Sequence, residues 1–198
     1  MKFSDLTDLQ QTNCGFEREF VDAHNDYRRK HGAPPLALSR DLCNSAQKWA
    51  DHLLSIKSLK HSSTDHGENL YYAYSSIPKK PVVDSWYSEI KDYHFNKPGF
   101  SSGTGHFTQV VWKDCSEVGV GLATDGQTIF VVGQYHPAGN MCNAGYFEKN
   151  VLPLGSSTSS APKCVPTGNT SLIGEQKLEK TIIFKSHTTA QLRLSLGK

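Results

Sequence analysis

At 198 residues the chain has room for one domain and an appendage, and 37% hydrophobic with 20% charged residues is ordinary for a soluble globular protein. A net charge of +2 spread over scattered Lys and Arg excludes a nucleic-acid binder, which would show a basic stripe. Five cysteines, Cys14, Cys43, Cys115, Cys142 and Cys164, are an odd number without a C-x-x-C pair, and dictate neither a disulfide framework nor a zinc ribbon.

The opening residues Met1 to Leu6 lack an apolar core and a cleavage site, so no secretory leader is expected, and Lys2 in place of glycine excludes N-myristoylation. No apolar run is long enough to span a bilayer. The simplest expectation is an intracellular protein with reduced thiols. Residues 1–14 are polar and read as a flexible N-terminus. From there Phe16, Phe20, Ala23 and Tyr27 recur at helical spacing, with acids early and Arg28, Arg29 and Lys30 late, as the helix dipole prefers. Gly32 and Pro34-Pro35 end this first helix, whose Asn25 and Arg28 are expected to tie it to the sheet. Ser39 can N-cap a second helix with the stripe Leu42, Ala46, Trp49, Ala50, Leu53 and Leu54, fading near Ser58. Residues 60–70 form a polar connection without clear periodicity that holds His61, His66 and Glu68, and loops of this kind often carry sites.

A third helix is predicted from Pro81 to about Asp92. At about 100° per residue, Val82, Trp86 and Ile90 make its apolar stripe, Glu89 falls on the flank of that stripe, and Asp84 and Lys91 face away. A carboxylate at the core edge needs partners. The Gly- and Ser-rich residues 100–105 read as a loop, and the aromatic and β-branched residues 107–112 as a strand, so His106 is expected at a loop-to-strand junction, sharing a face with Thr108, Val110 and Trp112. Taken alone, such a histidine is a structural one that bonds a loop carbonyl. Residues 118–123 and 128–135 read as two strands joined by a tight turn at Asp125-Gly126, and their apolar character implies a sheet covered by helices on both faces. Gly119-Val120-Gly121 lacks the third glycine of a dinucleotide fingerprint and is read as strand. Residues 137–140 make a turn, and Tyr146-Phe147 a last apolar segment. Beyond Leu152 the composition shifts: residues 155–162 resemble a linker, residues 181–184 and 192–196 are β-like fragments, and Asn169 begins a glycosylation sequon. The expected organisation is a flexible 1–14, a domain over 15–153, and a linker with C-terminal extension over 154–198.

Four separated pieces, residues 23–28, 67–70, 105–112 and 134–141, resemble in order and spacing the CAP superfamily (SCP/TAPS), which holds the cysteine-rich secretory, antigen 5 and pathogenesis-related 1 proteins. Residues 86–90, 98–100 and 147–153 look like its Golgi-associated plant pathogenesis-related branch. The resemblance implies an α/β fold, a three-layer α-β-α sandwich with a mainly antiparallel central sheet. It also implies a cavity lined by His61, Glu68, Glu89 and His106. Secreted members usually have a cysteine where Gly133 stands, so that disulfide is not expected here, which fits a reducing compartment.

Two imidazoles, His61 and His106, could hold zinc or another divalent cation, with one carboxylate as ligand and the other orienting an imidazole. Asn69 and Gln109 are expected to donate near the cavity. No H-E-x-x-H is present, nor the P-C-x-x-C that a deaminase needs after H-x-E, and no organic cofactor is expected. The resemblance implies a binding module for sterol, fatty acid or anionic lipid, with protein partners and a homodimer, on the cytosol or the cytosolic face of Golgi and other endomembranes; export by an unconventional route is the alternative. Tyr71, Tyr72 and Tyr74 offer an aromatic patch for lipid or a partner. A hydrolase using His61 or His106 as base, with Ser62, Ser75 or Ser102 or a metal-bound water, is a second reading. A third is a scaffold whose four cavity residues only organise the fold.

Overall fold

The structure is a computed structural model that describes residues 3–74 and 81–156, with side chains from residue 15 onward. The tail beyond residue 156, with its fragments at 181–184 and 192–196 and its sequon at Asn169, lies outside the described residues, as does Ser75.

The first helix, α1 (Phe3–Lys30), begins earlier than the Phe16 start expected from periodicity. No proline interrupts residues 3–30, and the single glycine, Gly15, costs a helix only about 1 kcal/mol. A two-residue strand β1 (Ala37–Leu38) leads into α2 (Arg40–Ile56). Ser39 holds the N-cap position in extended conformation, but its hydroxyl makes no capping bond. Next come β2 (Gly67–Ala73), α3 (Val82–Tyr87) continued by a 3-10 turn Ser88–Asp92, α4 (Gly105–Val111), β3 (Glu117–Thr124), β4 (Ile129–His136) and α5 (Tyr146–Asn150).

The four strands form one sheet in the order β1-β3-β4-β2. The hairpin partners β3 and β4 are antiparallel, β2 is antiparallel to β4, and only the short β1 runs parallel to its neighbour β3. The sheet is therefore mixed but mainly antiparallel. Its two faces are set by side-chain alternation. On one face Leu70, Ala123, Phe130 and Val132 pack against Ala46, Ala50 and Leu53 of α2. On the other, Val118, Val120, Val131 and Tyr135 pack against α1, α3 and α4 through Phe20, Trp86, Phe107 and Val110. The result is helix, sheet and helix in three layers. Helix α2 lies backbone-to-backbone on β3, because a Cβ on Gly119 would stand 2.3 Å from the Leu42 and Cys43 backbone, and one on Gly121 2.3 Å from that of Gln47.

Three expectations are corrected. Residues 105–111 are helix, not strand. The aromatic and β-branched bias of this run expresses burial rather than strand: Phe107 to Val111 are all buried, and a short apolar run does not distinguish a buried helix from a strand. Its ends are satisfied from distant parts of the chain, the N-terminus by Glu89 and the C-terminal carbonyls of Val110 and Trp112 by the buried guanidinium of Arg28. Second, residues 67–70 are not connection but the start of β2. Third, Asp84 does not face away: it accepts a hydrogen bond from Tyr27 of α1 at 2.8 Å. The expected tie of α1 to the sheet is present, since Asn25 brackets Leu36 through both its N–H and its carbonyl, and Arg28 also donates to Cys115 O at 2.8 Å. Cys43, Cys115 and Cys142 are unpaired thiols, and no described helix is long and apolar enough to cross a membrane.

Candidate functional site

Glu89 sits in the 3-10 turn that follows α3, on the flank of a stripe whose Val82 and Trp86 are buried. From there its carboxylate reaches the start of α4. Oε2 accepts the backbone N–H of His106 at 3.0 Å and of Phe107 at 3.1 Å, and Oε1 lies 2.7 Å from His106 Nδ1. A carboxylate at a helix N-terminus satisfies donors that no helical carbonyl can reach. Because an ionised carboxylate only accepts, Nδ1 carries the hydrogen, and the free lone pair of the ring, when it is uncharged, is on Nε2. The ring is held parallel to the buried Trp86 indole, 11° between planes at 6.2 Å.

Glu68, on β2, holds the second histidine. Its Oε1 lies 2.8 Å from His61 Nδ1 and accepts the Ser62 N–H at 2.9 Å, while Oε2 accepts the Ser62 hydroxyl at 2.7 Å and the Gln134 amide at 3.2 Å. Burial pushes the Glu68 carboxyl up, but the bonds from His61, Ser62 and Gln134 outweigh it and leave the group below the usual carboxylate range. The bond to Glu68 raises the pKa of His61 against its partial burial. The Glu68 side chain is 5% exposed and that of His61 67%, so a largely buried carboxylate displays an imidazole at the surface.

The structure thus resolves the four residues into two carboxylate–imidazole pairs of the same design, each with Nδ1 engaged. No hydrogen bond joins the pairs among the described residues. Glu68 shares the α2 face of the sheet with its cross-strand partner Gln134, and the other pair belongs to the helices of the opposite face. The strand β2 serves both. Asn69, next to Glu68 and pointing the other way, donates to His106 O at 3.1 Å and to the Tyr135 hydroxyl at 3.3 Å. Tyr135 in turn lies 2.8 Å from Nε2 of His24, whose Nδ1 donates to Phe20 O at 2.8 Å. Burial holds the His24 pKa down to about 3, so this ring is a neutral member of the core.

Gln109, expected as a donor near the cavity, bonds none of the four. It donates to Cys115 Sγ at 3.3 Å and packs against Gly67 and Gly139. Tyr71, Tyr72 and Tyr74 do not form one patch, because alternation along β2 turns Tyr71 into the core while Tyr72 lies 5.0 Å from Phe130 on the other face and Tyr74 is exposed. Among the described residues no three His, Cys, Asp or Glu side chains form a metal-ligand group. The Ser62 hydroxyl donates to Glu68 rather than to an imidazole. Sequence reasoning did not single out Gln134 or Trp86 as site neighbours; the strand pairing of residues 68 and 134 is the fact that was needed.

A separate apolar groove of about 430 Å³ opens between α1 and the start of α3, over the hairpin end of β3 and β4. Phe16, Phe20, Ala23, Val83, Leu122 and Ile129 line it.

Residues 21–135 match the model of the Cysteine-rich secretory protein (CAP) family. The chain is 51% identical over 144 residues to human Golgi-associated plant pathogenesis-related protein 1, a match that covers 70% of this chain and 93% of that protein. It is 41% identical over 142 residues to Protein PRY2 of Saccharomyces cerevisiae, covering 70% of this chain and 42% of that longer protein. Among solved structures it resembles that of BmVAL-1, with 27% identity and a TM-score of 0.55 over 71% of this chain and 82% of the other.

Proposed function

The chain belongs to the cysteine-rich secretory protein (CAP) family, and from that premise we propose that it is a non-enzymatic binding module that associates with membranes from their surface and takes up the apolar part of a lipid or sterol. The observation that carries this reading is the groove between α1 and α3. Its volume of about 430 Å³ falls within the size of ordinary ligand sites, and its lining is overwhelmingly aliphatic and aromatic. Each acyl methylene buried there contributes about 0.8 kcal/mol, so a chain of ten or so offsets the cost of immobilising it. Similarity to a Golgi-associated relative favours the cytosolic face of endomembranes as the site of action.

The His–Glu pairs give this module a cation-responsive part. Nε2 of His61 and Nε2 of His106 are the atoms that would hold zinc or another divalent ion, each imidazole being fixed by its carboxylate through Nδ1. Such an ion would supply positive charge toward anionic lipid. In this arrangement each carboxylate orients an imidazole through Nδ1, and water would have to complete the shell of the ion. Protein partners and a homodimer belong to the same proposal.

The test is binding of a fluorescent fatty acid and co-sedimentation with anionic, sterol-containing liposomes, with and without zinc. Wild type should bind the probe, and Ala23→Phe, which fills the groove from a half-buried helix position, should weaken it by about 10-fold or more. Zinc should strengthen sedimentation of wild type but not of His61→Ala/His106→Ala. A folded wild-type protein that binds neither probe nor liposome would sink the reading.

A further inference from the structure

Two histidines outside the carboxylate–imidazole pairs are brought together at one end of the sheet. His66 stands immediately before β2, and the register that pairs Gly67 with Tyr135 sets it opposite His136, the last residue of β4. Alternation puts both on the α2 face, two residues along from the paired Glu68 and Gln134. The rings meet there, with centroids 5.9 Å apart and planes at 86°. On the other side of His136, directly opposite it in the ladder, is Glu117 at the start of β3. Gly121 meets Gln47 and Gly119 meets Leu42, so α2 runs out near the level of residue 117 and leaves this end of the sheet open. His136 and Glu117 are exposed accordingly, and His66 is half-buried.

Nδ1 of His66 is buried and has no hydrogen-bond partner among the described residues. A polar atom left in that state is unfavourable and calls for a partner. An ion bound through Nε2 would fix the hydrogen on Nδ1 and leave it unmet, so Nδ1 is the ligand atom. Metal–nitrogen bonds of about 2.0–2.1 Å place the centroids of two imidazoles on one ion about 5–6 Å apart. The observed separation falls within that span. The exposed His136 ring turns about a broad terminal torsion, which lets one of its nitrogens aim at the same point. No third His, Cys, Asp or Glu completes the group among the described residues, so an ion here keeps water at its other positions. Two imidazoles with water suit the tetragonal nitrogen and oxygen set of Cu²⁺, which also stands above Ni²⁺ and Zn²⁺ in affinity for such donors. Magnesium and calcium prefer all-oxygen shells and are disfavoured. Glu117 adds negative charge beside the ion and can accept a hydrogen from its water.

We propose that His66 and His136 form a two-imidazole site for a divalent transition ion, Cu²⁺ in preference to Ni²⁺ or Zn²⁺, which clips the start of the edge strand β2 to the end of β4. The site shares no residue with His61 and His106 and depends neither on a cation there nor on the apolar groove.

Full-length protein is titrated with the chlorides of Cu²⁺, Ni²⁺ and Zn²⁺ by calorimetry in a non-coordinating buffer, as wild type and as His61→Ala/His106→Ala, which removes the other two imidazoles. The expected result is a Cu²⁺ site in both proteins with Kd on the order of 1 µM, and binding of Ni²⁺ and Zn²⁺ there about 10-fold weaker or more. His66→Gln and His136→Gln, each introduced into the double variant, should each weaken Cu²⁺ binding by about 10-fold or more, because the second imidazole binds intramolecularly. His52→Gln, which removes an exposed histidine of α2, should leave it unchanged. Electron paramagnetic resonance of the equimolar Cu²⁺ complex should show two equatorial nitrogens in the double variant and one after loss of either histidine. His136 is exposed, so His136→Gln keeps the test decisive if His66→Gln does not fold. No Cu²⁺ site tighter than about 100 µM in the double variant, a site undiminished by His136→Gln, or one weakened equally by His52→Gln overturns the proposal. Cu²⁺ binding is read without lipid or fatty acid, so its failure is seen separately from that of the membrane reading.

Discussion

Replacing Glu89 tests the logic of the site most directly, because one carboxylate there caps a helix and orients a histidine. Glu89→Ala removes the acceptor of the His106 and Phe107 N–H groups and of His106 Nδ1. Loss of an N-cap costs about 0.5–2 kcal/mol, and loss of a charged hydrogen bond about 1.5–3 kcal/mol. The carboxylate is 22% exposed, so water recovers part of this, and the net loss is expected at about 2–4 kcal/mol. With a urea m-value of about 2 kcal/mol/M, the midpoint should fall by about 1–2 M. Glu89→Gln should behave differently. Its amide oxygen can still accept both backbone N–H groups, as Oε2 does, while its NH₂ meets Nδ1 and forces the imidazole into the other tautomer, with hydrogen on Nε2. Stability should drop by only about 1 kcal/mol, yet the Nε2 lone pair is gone. Urea unfolding reads the first effect and long-range ¹H–¹⁵N correlation of the His106 ring reads the second. Equal destabilisation by Ala and Gln, or an unchanged tautomer in Glu89→Gln, would refute the reasoning.

The His61–Glu68 pair should stabilise the fold over a limited pH window. His61 titrates above its ordinary 6.5, so its contribution is complete below 6.5 and fades as pH rises through the raised value; Glu68 titrates below its ordinary 4.5, so its contribution is in place above 4.5 and fades as pH falls through the lowered value. The difference in Tm between wild type and His61→Ala should therefore peak between these pH values and shrink on both sides, and a difference that grows toward pH 9 would contradict the assignment. Gly121→Ala places a methyl 2.3 Å from the α2 backbone, and the helix must move; a loss of about 3 kcal/mol or more, or failure to fold, is expected in urea unfolding. Cys115 is buried with its pKa pushed up by desolvation to about 11, whereas Cys142 is exposed. Iodoacetamide followed by peptide mass mapping should modify Cys142 in the native protein and Cys115 only after unfolding.

Most of the architecture was legible because it rests on patterns internal to a segment. The stripe from Leu42 to Leu54, the Asp125-Gly126 turn and the apolar run of β4 each declare themselves within a dozen residues. What was misread depends on partners far along the chain. Residues 107–112 have the composition of a strand, and 107–111 are helical because Glu89 meets one end and Arg28 the other. Glu68 looked like a loop residue since its strand is recognised only by pairing with residues beyond 128. The four cavity residues were identified by resemblance to a family, and angular position marked only Glu89; no periodicity could show that the four divide into two carboxylate–imidazole pairs.

That division bears on whether the four residues serve the fold or a ligand. The carboxylates hold backbone as well as side chains: Glu89 takes two helix N–H groups, and Glu68 takes the Ser62 N–H and hydroxyl together with the Gln134 amide. Each imidazole makes one Nδ1 bond to its carboxylate, and His61 projects into solvent. An imidazole that only braced its acid would have no reason to be the exposed partner, since a surface ion pair contributes about 1 kcal/mol at most. On the proposed reading the acids are the structural half of the site and the histidines the half that a ligand would meet. His61→Ala/His106→Ala should consequently leave the fold close to wild type in stability, while Glu68→Ala/Glu89→Ala should not fold to the same extent. The reverse order would make the four residues a scaffold and nothing more.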